Sequence, residues 1–116
     1  MRRIYKILDR PAWTAAKAAG VFRGSAVDLA DGFIHFSGAD QAQETARRYF
    51  AGQADLVLLT VDADADAFGE AMRWEPSRGG DLFPHLYADL AVADILAERA
   101  LTLGEDGVPM LGPLDP

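Results

Sequence analysis

The longest apolar block of the chain is Leu56 to Leu59, which extends through Thr60 to Val61. A strand that is apolar at successive positions has both faces covered, because its side chains alternate between the two faces of a sheet. The block therefore predicts a strand at the centre of the sheet. Shorter runs, rich in aromatic and β-branched residues, predict extended segments at Ile4–Leu8, Phe33–Ser37, Met72–Glu75, Phe83–Tyr87 and Ile95–Leu103.

A first helix is indicated directly after the first of these strands. Pro11 suits the first turn of a helix, the residues from Ala12 to Ala19 are rich in alanine, and Gly20 stands where a C-cap glycine belongs. The spacing predicts a short helix that ends at Ala19. Trp13 is expected in the core beneath it.

A second helix is predicted between the strands at Phe33–Ser37 and Leu56–Val61. Asp40 followed by Gln43 resembles a reduced capping box, and the helical segment continues to Phe50 and stops at Gly52. The remaining segments are predicted as an irregular stretch at Val21–Ala30, a single helical turn at Ala91–Asp94 and a tail at Gly104–Pro116.

These elements follow one another without a repeat or a linker. With 116 residues, 50% of them hydrophobic and 25% charged, the chain has the size and composition of one ordinary globular unit. The sequence therefore predicts a single domain, residues 1–116, of the α+β class, with a small mixed or antiparallel sheet and two to three short helices.

Composition narrows the classes of function. The chain has no cysteine, so disulfides and thiolate zinc sites are absent, and a reducing cytoplasm is the expected compartment. Charged residues interrupt the start of the chain, which argues against a signal peptide, and no apolar run approaches the length of a membrane helix. A net charge of −7 disfavours broad nucleic-acid binding and anionic membranes. Local clusters such as Arg2, Arg3 and Lys6, or Arg73 and Arg78, still leave room for a small anionic ligand.

The only two histidines stand in parallel contexts, Phe33-x-His35-x-Ser37 and Phe83-x-His85-x-Tyr87. In a strand these three residue types point the same way, so two neighbouring strands would present two imidazoles, a serine and a tyrosine on one aromatic face. Such a face has the composition of a small-molecule site. Either imidazole could act as a hydrogen-bond partner or a general base, and the alternative is that both are structural.

Other chemistries fit the sequence less well. Ser37 does not stand in a G-x-S-x-G elbow, so a serine-hydrolase triad is not expected. The two histidines lack a local ligand spacing such as H-E-x-x-H, so a metal is only a minor alternative. Trp74 is expected in the core, and Glu75 beside it either orients a histidine, binds a ribose hydroxyl or is simply exposed.

Several of these features together resemble a bacterial family known as domain of unknown function 952. The resemblance covers nearly the whole chain and rests on Ile4-Tyr5, Trp13, the G-F-I-H-x-S and F-P-H-L-Y signatures, Gln41, the Leu56–Asp62 strand and Trp74-Glu75. That family in turn resembles the ADP-ribosyltransferase fold, which implies a split sheet that binds NAD in the cleft between its halves. The resemblance places Lys6 on the first motif, Ser37 on the second, and His85 or Tyr87 near the last.

One residue departs from the family pattern, because the position after Tyr5 is commonly histidine and here is Lys6. A lysine can pair with a phosphate but lacks the acceptor nitrogen of an imidazole. The leading hypothesis is a nucleotide-type pocket with NAD as the candidate substrate of an ADP-ribosyl or glycosyl transfer; the alternative is a non-catalytic module that binds a metabolite or a protein. The candidate residues are His35 and His85 for catalysis, and Lys6, Ser37, Tyr87, Arg3 and Glu75 for binding, with no metal.

Overall fold

The computed structural model describes residues 1–116 and contains three α-helices and eleven strands, most of them short. Their order along the chain is β1 (Arg3–Asp9), α1 (Arg10–Ala19), β2 (Val21–Phe22), α2 (Ala26–Asp31), β3 (Ile34–His35), β4 (Ser37–Gly38), α3 (Ala42–Tyr49), β5 (Leu56–Asp62), β6 (Met72–Ser77), β7 (Asp81–Leu86), β8 (Leu90–Ala91), β9 (Ile95–Ala100), β10 (Thr102–Leu103) and β11 (Pro109–Met110).

All strand pairs are antiparallel, and they form two principal sheets. The larger sheet has the order β4-β1-β5-β9, and the smaller has the order β3-β7-β6. Two additional pairs, β2 with β8 and β10 with β11, complete the structure. The predicted α+β class is confirmed, with antiparallel pairing throughout and three helices.

Strand β5 lies inside the larger sheet, between β1 and β9, and both of its faces are covered as predicted. Val57, Leu59 and Val61 face one core cluster, which also contains residues of α1 and of the smaller sheet. Leu56 and Leu58 face a second cluster on the side of α3. The smaller sheet and α3 therefore cover opposite faces of the larger one.

Helix α1 carries the predicted Pro11 and Gly20 signals, and its N-cap, Asp9, is a further one that the sequence analysis did not name. The Asp9 side chain accepts a hydrogen bond from the Ala12 backbone N–H at 2.8 Å, Pro11 lies in the first turn, and Gly20 closes the helix with φ of 79°. Trp13 is 3% exposed, which confirms its place in the core.

Helix α3 begins later than predicted, because Asp40 forms no capping box. Gln41 is the N-cap residue and makes no side-chain cap; its Oε1 instead accepts the Gly38 N–H at 2.9 Å. The helix ends at Tyr49, and Gly52 with φ of 79° belongs to the following turn.

The prediction of one continuous strand at Phe33–Ser37 is wrong. Strand β3 pairs with β7 in the smaller sheet, whereas β4 pairs with β1 in the larger one. Between them the Phe36 N–H donates to the Pro84 carbonyl at 3.0 Å. The chain changes sheet here, so the strict alternation of side chains does not continue from His35 to Ser37.

Two segments predicted to be irregular contain regular structure. Val21–Ala30 includes β2 and the start of α2, a helix that begins at a capping box between Ser25 and Asp28. The tail includes β11, and its Leu111 is fully buried. The helical turn near Ala91 is confirmed as a 3₁₀ turn at Val92–Asp94. None of the helices has the length and hydropathy needed to cross a bilayer.

Candidate functional site

The two histidines are direct neighbours on adjacent strands, which is the arrangement that the shared-face hypothesis supposes. In the β3–β7 pair His35 lies opposite His85, and their ring centroids are 5.6 Å apart. Residues directly opposite in an antiparallel pair point to the same face. Phe33 stacks on His85 with centroids 4.1 Å apart and lies 5.1 Å from the ring of Tyr87. We call this surface the two-histidine face; its members are Phe33, His35, Arg73, Glu75, His85 and Tyr87.

His85 is held by a carboxylate at one nitrogen. Its Nδ1 lies 2.8 Å from Oε1 of Glu75, and because a carboxylate only accepts, this nitrogen donates. Nε2 has no hydrogen-bond partner in the protein, and no fully buried side-chain nitrogen or oxygen lacks a partner, so Nε2 keeps a small exposed surface on a residue that is 5% exposed. In the tautomer that carries its proton on Nδ1, Nε2 is an acceptor, as a general base requires.

The same oxygen of Glu75 accepts a second hydrogen bond, from the Tyr87 hydroxyl at 2.6 Å. The hydrogen bonds from Tyr87 and then from His85 lower the pKa of Glu75. Hydrogen bonding to Glu75, followed by partial desolvation and the negative charge, raises the pKa of Tyr87. At neutral pH the pair is a carboxylate and a neutral phenol, so Glu75 orients His85, one of its predicted roles.

Arg73 belongs to the face; the sequence indicated it only as part of a possible positive spot with Arg78, not as a site residue. It pairs with His85 across the β6–β7 ladder, and its guanidinium carbon lies 4.5 Å from the centroid of the Tyr87 ring. The side chain makes no ion pair or hydrogen bond, so its donors are free for an oxyanion. Alternation on β6 could have identified it, because Arg73 precedes Glu75 by two residues.

His35 is in a different position, since carboxylates engage both of its nitrogens. Nδ1 lies 2.6 Å from Asp28 Oδ1, and Nε2 lies 2.9 Å from Asp31 Oδ2. Neither nitrogen remains open to a ligand. Both acids come from α2, and the S-x-x-D capping pattern at Ser25 was the signal that could have revealed this helix.

Behind His35 lies a buried ion pair. Lys6 Nζ contacts Asp28 Oδ2 at 3.1 Å and donates to the His35 carbonyl at 2.9 Å, and the two side chains are 8% and 2% exposed. Burial alone would raise the pKa of Asp28, but the His35 hydrogen bond and the Lys6 charge outweigh it and hold that pKa well below its usual range. Burial lowers the pKa of Lys6, against the Asp28 charge. Lys6 thus lies beneath the two-histidine face and does not line it.

Two more candidate residues lie away from the histidines. Ser37 is buried in the larger sheet, where its Oγ lies 2.8 Å from Oγ1 of Thr45 on α3. The change of sheet at Phe36 accounts for this separation. Arg3, at the start of β1, lines a cleft between the two sheets.

A depression of about 260 Å³ lies beside the two-histidine face. Phe33, Leu86 and Tyr87 line it, as do Arg23 and Asp89, which are paired at 3.4 Å. Neither imidazole lines it. His, Asp and Glu side chains do not assemble a set of three metal ligands anywhere in the chain.

A family model described as "Protein of unknown function (DUF952)" matches residues 7–98. The chain is similar to protein CC0527 from Caulobacter crescentus, whose crystal structure has 60% sequence identity, covers 95% of each chain and superposes with a TM-score of 0.90. A crystal structure of a double mutant of that protein gives 59% identity, the same coverage and a TM-score of 0.90. Its solution NMR structure gives 60% identity, 97% and 95% coverage and a TM-score of 0.85. No curated protein matches the chain.

Proposed function

We propose a function from the geometry of the two-histidine face, because the chain belongs to the DUF952 family, which is described as being of unknown function. The face binds a nucleotide-type anion, NAD or a related ribonucleotide, and catalyses transfer of an ADP-ribosyl or similar glycosyl group. The observation that supports this best is the polarised His85, with Nδ1 on Glu75 and Nε2 open.

The binding part of the proposal rests on Arg73. An unpaired guanidinium beside an aromatic ring and an open imidazole is suited to a phosphate, which it contacts through two parallel N–H groups. The rings of Phe33 and Tyr87 offer apolar surface for a base or a nicotinamide ring. NAD is preferred among nucleotides because of the resemblance to the ADP-ribosyltransferase fold, not because of any contact.

In the catalytic part of the proposal, His85 is the general base. Its Nε2 takes the proton of an acceptor hydroxyl, whose oxygen bonds to the ribose carbon as the glycosidic bond breaks and nicotinamide leaves. The Glu75 carboxylate, 2.8 Å from Nδ1, stabilises the imidazolium that forms. Tyr87 holds Glu75 in place through the same carboxylate oxygen. General-base assistance of this kind contributes roughly 10²–10⁴-fold in rate.

The second candidate function is a module that binds a metabolite or a protein without chemistry. The observation that favours it is His35, whose two nitrogens are both occupied by carboxylates, so only one of the two imidazoles can take part in a reaction. Binding at Arg73 would be retained in such a module, and turnover would not.

Isothermal titration calorimetry with NAD, ADP-ribose and AMP tests the binding, and chromatography of released nicotinamide tests the chemistry. We expect heat from at least one nucleotide, a loss of about tenfold or more in affinity for Arg73→Gln, and an unchanged affinity for the control Arg47→Gln on α3. His85→Gln should reduce nicotinamide release with little effect on affinity. No heat from any nucleotide would refute the proposal, whereas heat without release would establish the non-catalytic module.

A further inference from the structure

A second concave region lies where the two principal sheets diverge, apart from the two-histidine face. This cleft has a volume of about 730 Å³ and is lined by the start of β1, the turn that precedes α3, the outer ends of β6 and β7, and the C-terminal residues. Its size is that of a typical small-molecule site. We call it the Arg2–Arg3 cleft.

The guanidinium of Arg2 is placed by an aromatic ring. Its central carbon lies 3.7 Å from the centroid of the Trp74 ring, and Trp74 itself is partly buried against the main core. A guanidinium that is stacked in this way keeps its N–H groups in the plane of the group, where they point past the ring. The Trp74 ring thus contacts the Arg2 guanidinium without accepting a hydrogen bond from its N–H donors.

Neither arginine side chain of this cleft has an ion-pair or hydrogen-bond partner in the protein. Arg2 makes a hydrogen bond only through its backbone N–H, to Asp62, and the side chains of Arg2 and Arg3 form no ion pair or hydrogen bond. The chain has 18 acidic and 11 basic residues, so two unpaired cations in one cleft are not explained by a shortage of carboxylates. Either guanidinium can hold an oxyanion through two parallel N–H groups.

The rest of the wall indicates what else the anion contains. Asp40 and Asp81 line the same cleft without pairing with either arginine, which suits hydroxyl or other donor groups on the ligand. Leu82, half-exposed, and Leu114 add an apolar side. These features together fit a small organic molecule with an anionic group at one end.

We propose that the Arg2–Arg3 cleft is a second ligand site, which binds the phosphate or carboxylate group of a small organic anion through its unpaired guanidiniums. The site is independent of the two-histidine face, because it uses other residues and the other side of the smaller sheet. Phosphate and carboxylate share the geometry that a guanidinium recognises, so the experiment must separate them.

The test is an NMR titration of the ¹⁵N-labelled protein with inorganic phosphate and, separately, with citrate, each against sodium chloride at the same ionic strength. We expect saturable shifts of the Trp74 indole N–H and of the Gly38–Gln41 backbone amides with at least one anion. The double variant with Arg2→Gln and Arg3→Gln should bind the anion about tenfold or more weakly, since charge-assisted hydrogen bonds are lost. If only inorganic phosphate causes saturable shifts, the ligand carries a phosphate group. If only citrate does, the ligand carries a carboxylate group.

Two matched variants make the result decisive. Arg10→Gln removes an arginine that is paired with Asp55 elsewhere on the surface, and it should bind within about twofold of the parent protein. His85→Gln should also bind normally, which separates this site from the proposed catalytic one. The proposal is wrong if neither anion gives saturable shifts, if the double arginine variant binds as well as the parent, or if His85→Gln abolishes the shifts.

Discussion

Replacing Asp28 with asparagine tests how much of the fold depends on one buried carboxylate. Asp28 is 2% exposed and accepts from the Lys6 ammonium, from Nδ1 and the backbone N–H of His35, and from the backbone N–H of Ser25. An amide keeps one acceptor oxygen but loses the charge. It leaves the Lys6 ammonium buried without a counter-ion.

The expected loss of stability follows from the buried Lys6 ammonium that is left without a counter-ion. Removing one partner of a buried ion pair costs about 3–5 kcal/mol, a large part of the roughly 5–15 kcal/mol that stabilise a typical domain. We expect Asp28→Asn to lower the free energy of unfolding by about that amount. Adding Lys6→Met removes the uncompensated charge, so the double variant should be more stable than Asp28→Asn alone.

Urea denaturation followed by circular dichroism at neutral pH measures these differences. Asp31→Asn is the matched control, because its half-exposed carboxylate contacts His35 at 2.9 Å but no buried cation, and it should cost less than about 1 kcal/mol. A cost below about 1 kcal/mol for Asp28→Asn, or a double variant less stable than the single one, would contradict the reasoning.

The same carboxylate predicts a pH dependence. The pKa of Asp28 is lower in the folded than in the unfolded state. The ionised carboxylate therefore makes its full contribution to the free energy of unfolding above the unfolded pKa of about 3.9, and that contribution is lost as the pH falls through the folded pKa. The stability advantage of the parent over Asp28→Asn should therefore shrink between about pH 5 and about pH 3. An advantage that stays constant over this interval would show that Asp28 is not the titrating group.

Three further predictions concern other parts of the molecule. Leu59→Ala should cost about 2–5 kcal/mol in urea denaturation, because Leu59 is fully buried, whereas Leu96→Ala at a half-exposed position should cost less than about 0.5 kcal/mol. Gly32→Ala should cost about 1–2 kcal/mol in the same assay; φ is +87° there and a Cβ would meet no atom within 4 Å, so the cost is backbone strain alone. Tyr87→Phe should raise the pKa of Glu75, measured by NMR titration of its carboxyl carbon, and an unchanged pKa would count against the hydrogen-bond assignment.

The elements that could be predicted from sequence are those in which a pattern repeats. Strand β5 is apolar on both faces, and α1 has a complete set of end signals at Asp9, Pro11 and Gly20. Helix α2 has only six residues, less than two turns, so no apolar period can develop in it. The two-residue strands have no pattern of their own and exist only because a partner lies beside them.

In the candidate site too, the sequence pattern reveals some residue positions, whereas others depend on tertiary contacts. Alternation places His35 and His85 on one face only if their two strands are neighbours, a supposition of the sequence analysis that the β3–β7 pairing meets. Ser37 left that face because tertiary pairing, which one sequence does not reveal, moves the chain to the other sheet at Phe36. Asp28 reaches His35 only through the position of α2, so its role could not be derived before that helix was known.

The passage of the chain from β3 to β4 has a consequence for how the molecule melts. The smaller sheet needs β3 as an edge strand and the larger needs β4, yet only Phe36 separates the two. Separation of β3 or β4 from its sheet therefore displaces the adjoining strand from the other sheet. We expect the two sheets to unfold in one cooperative transition. Thermal unfolding curves measured by near- and far-ultraviolet circular dichroism should then coincide.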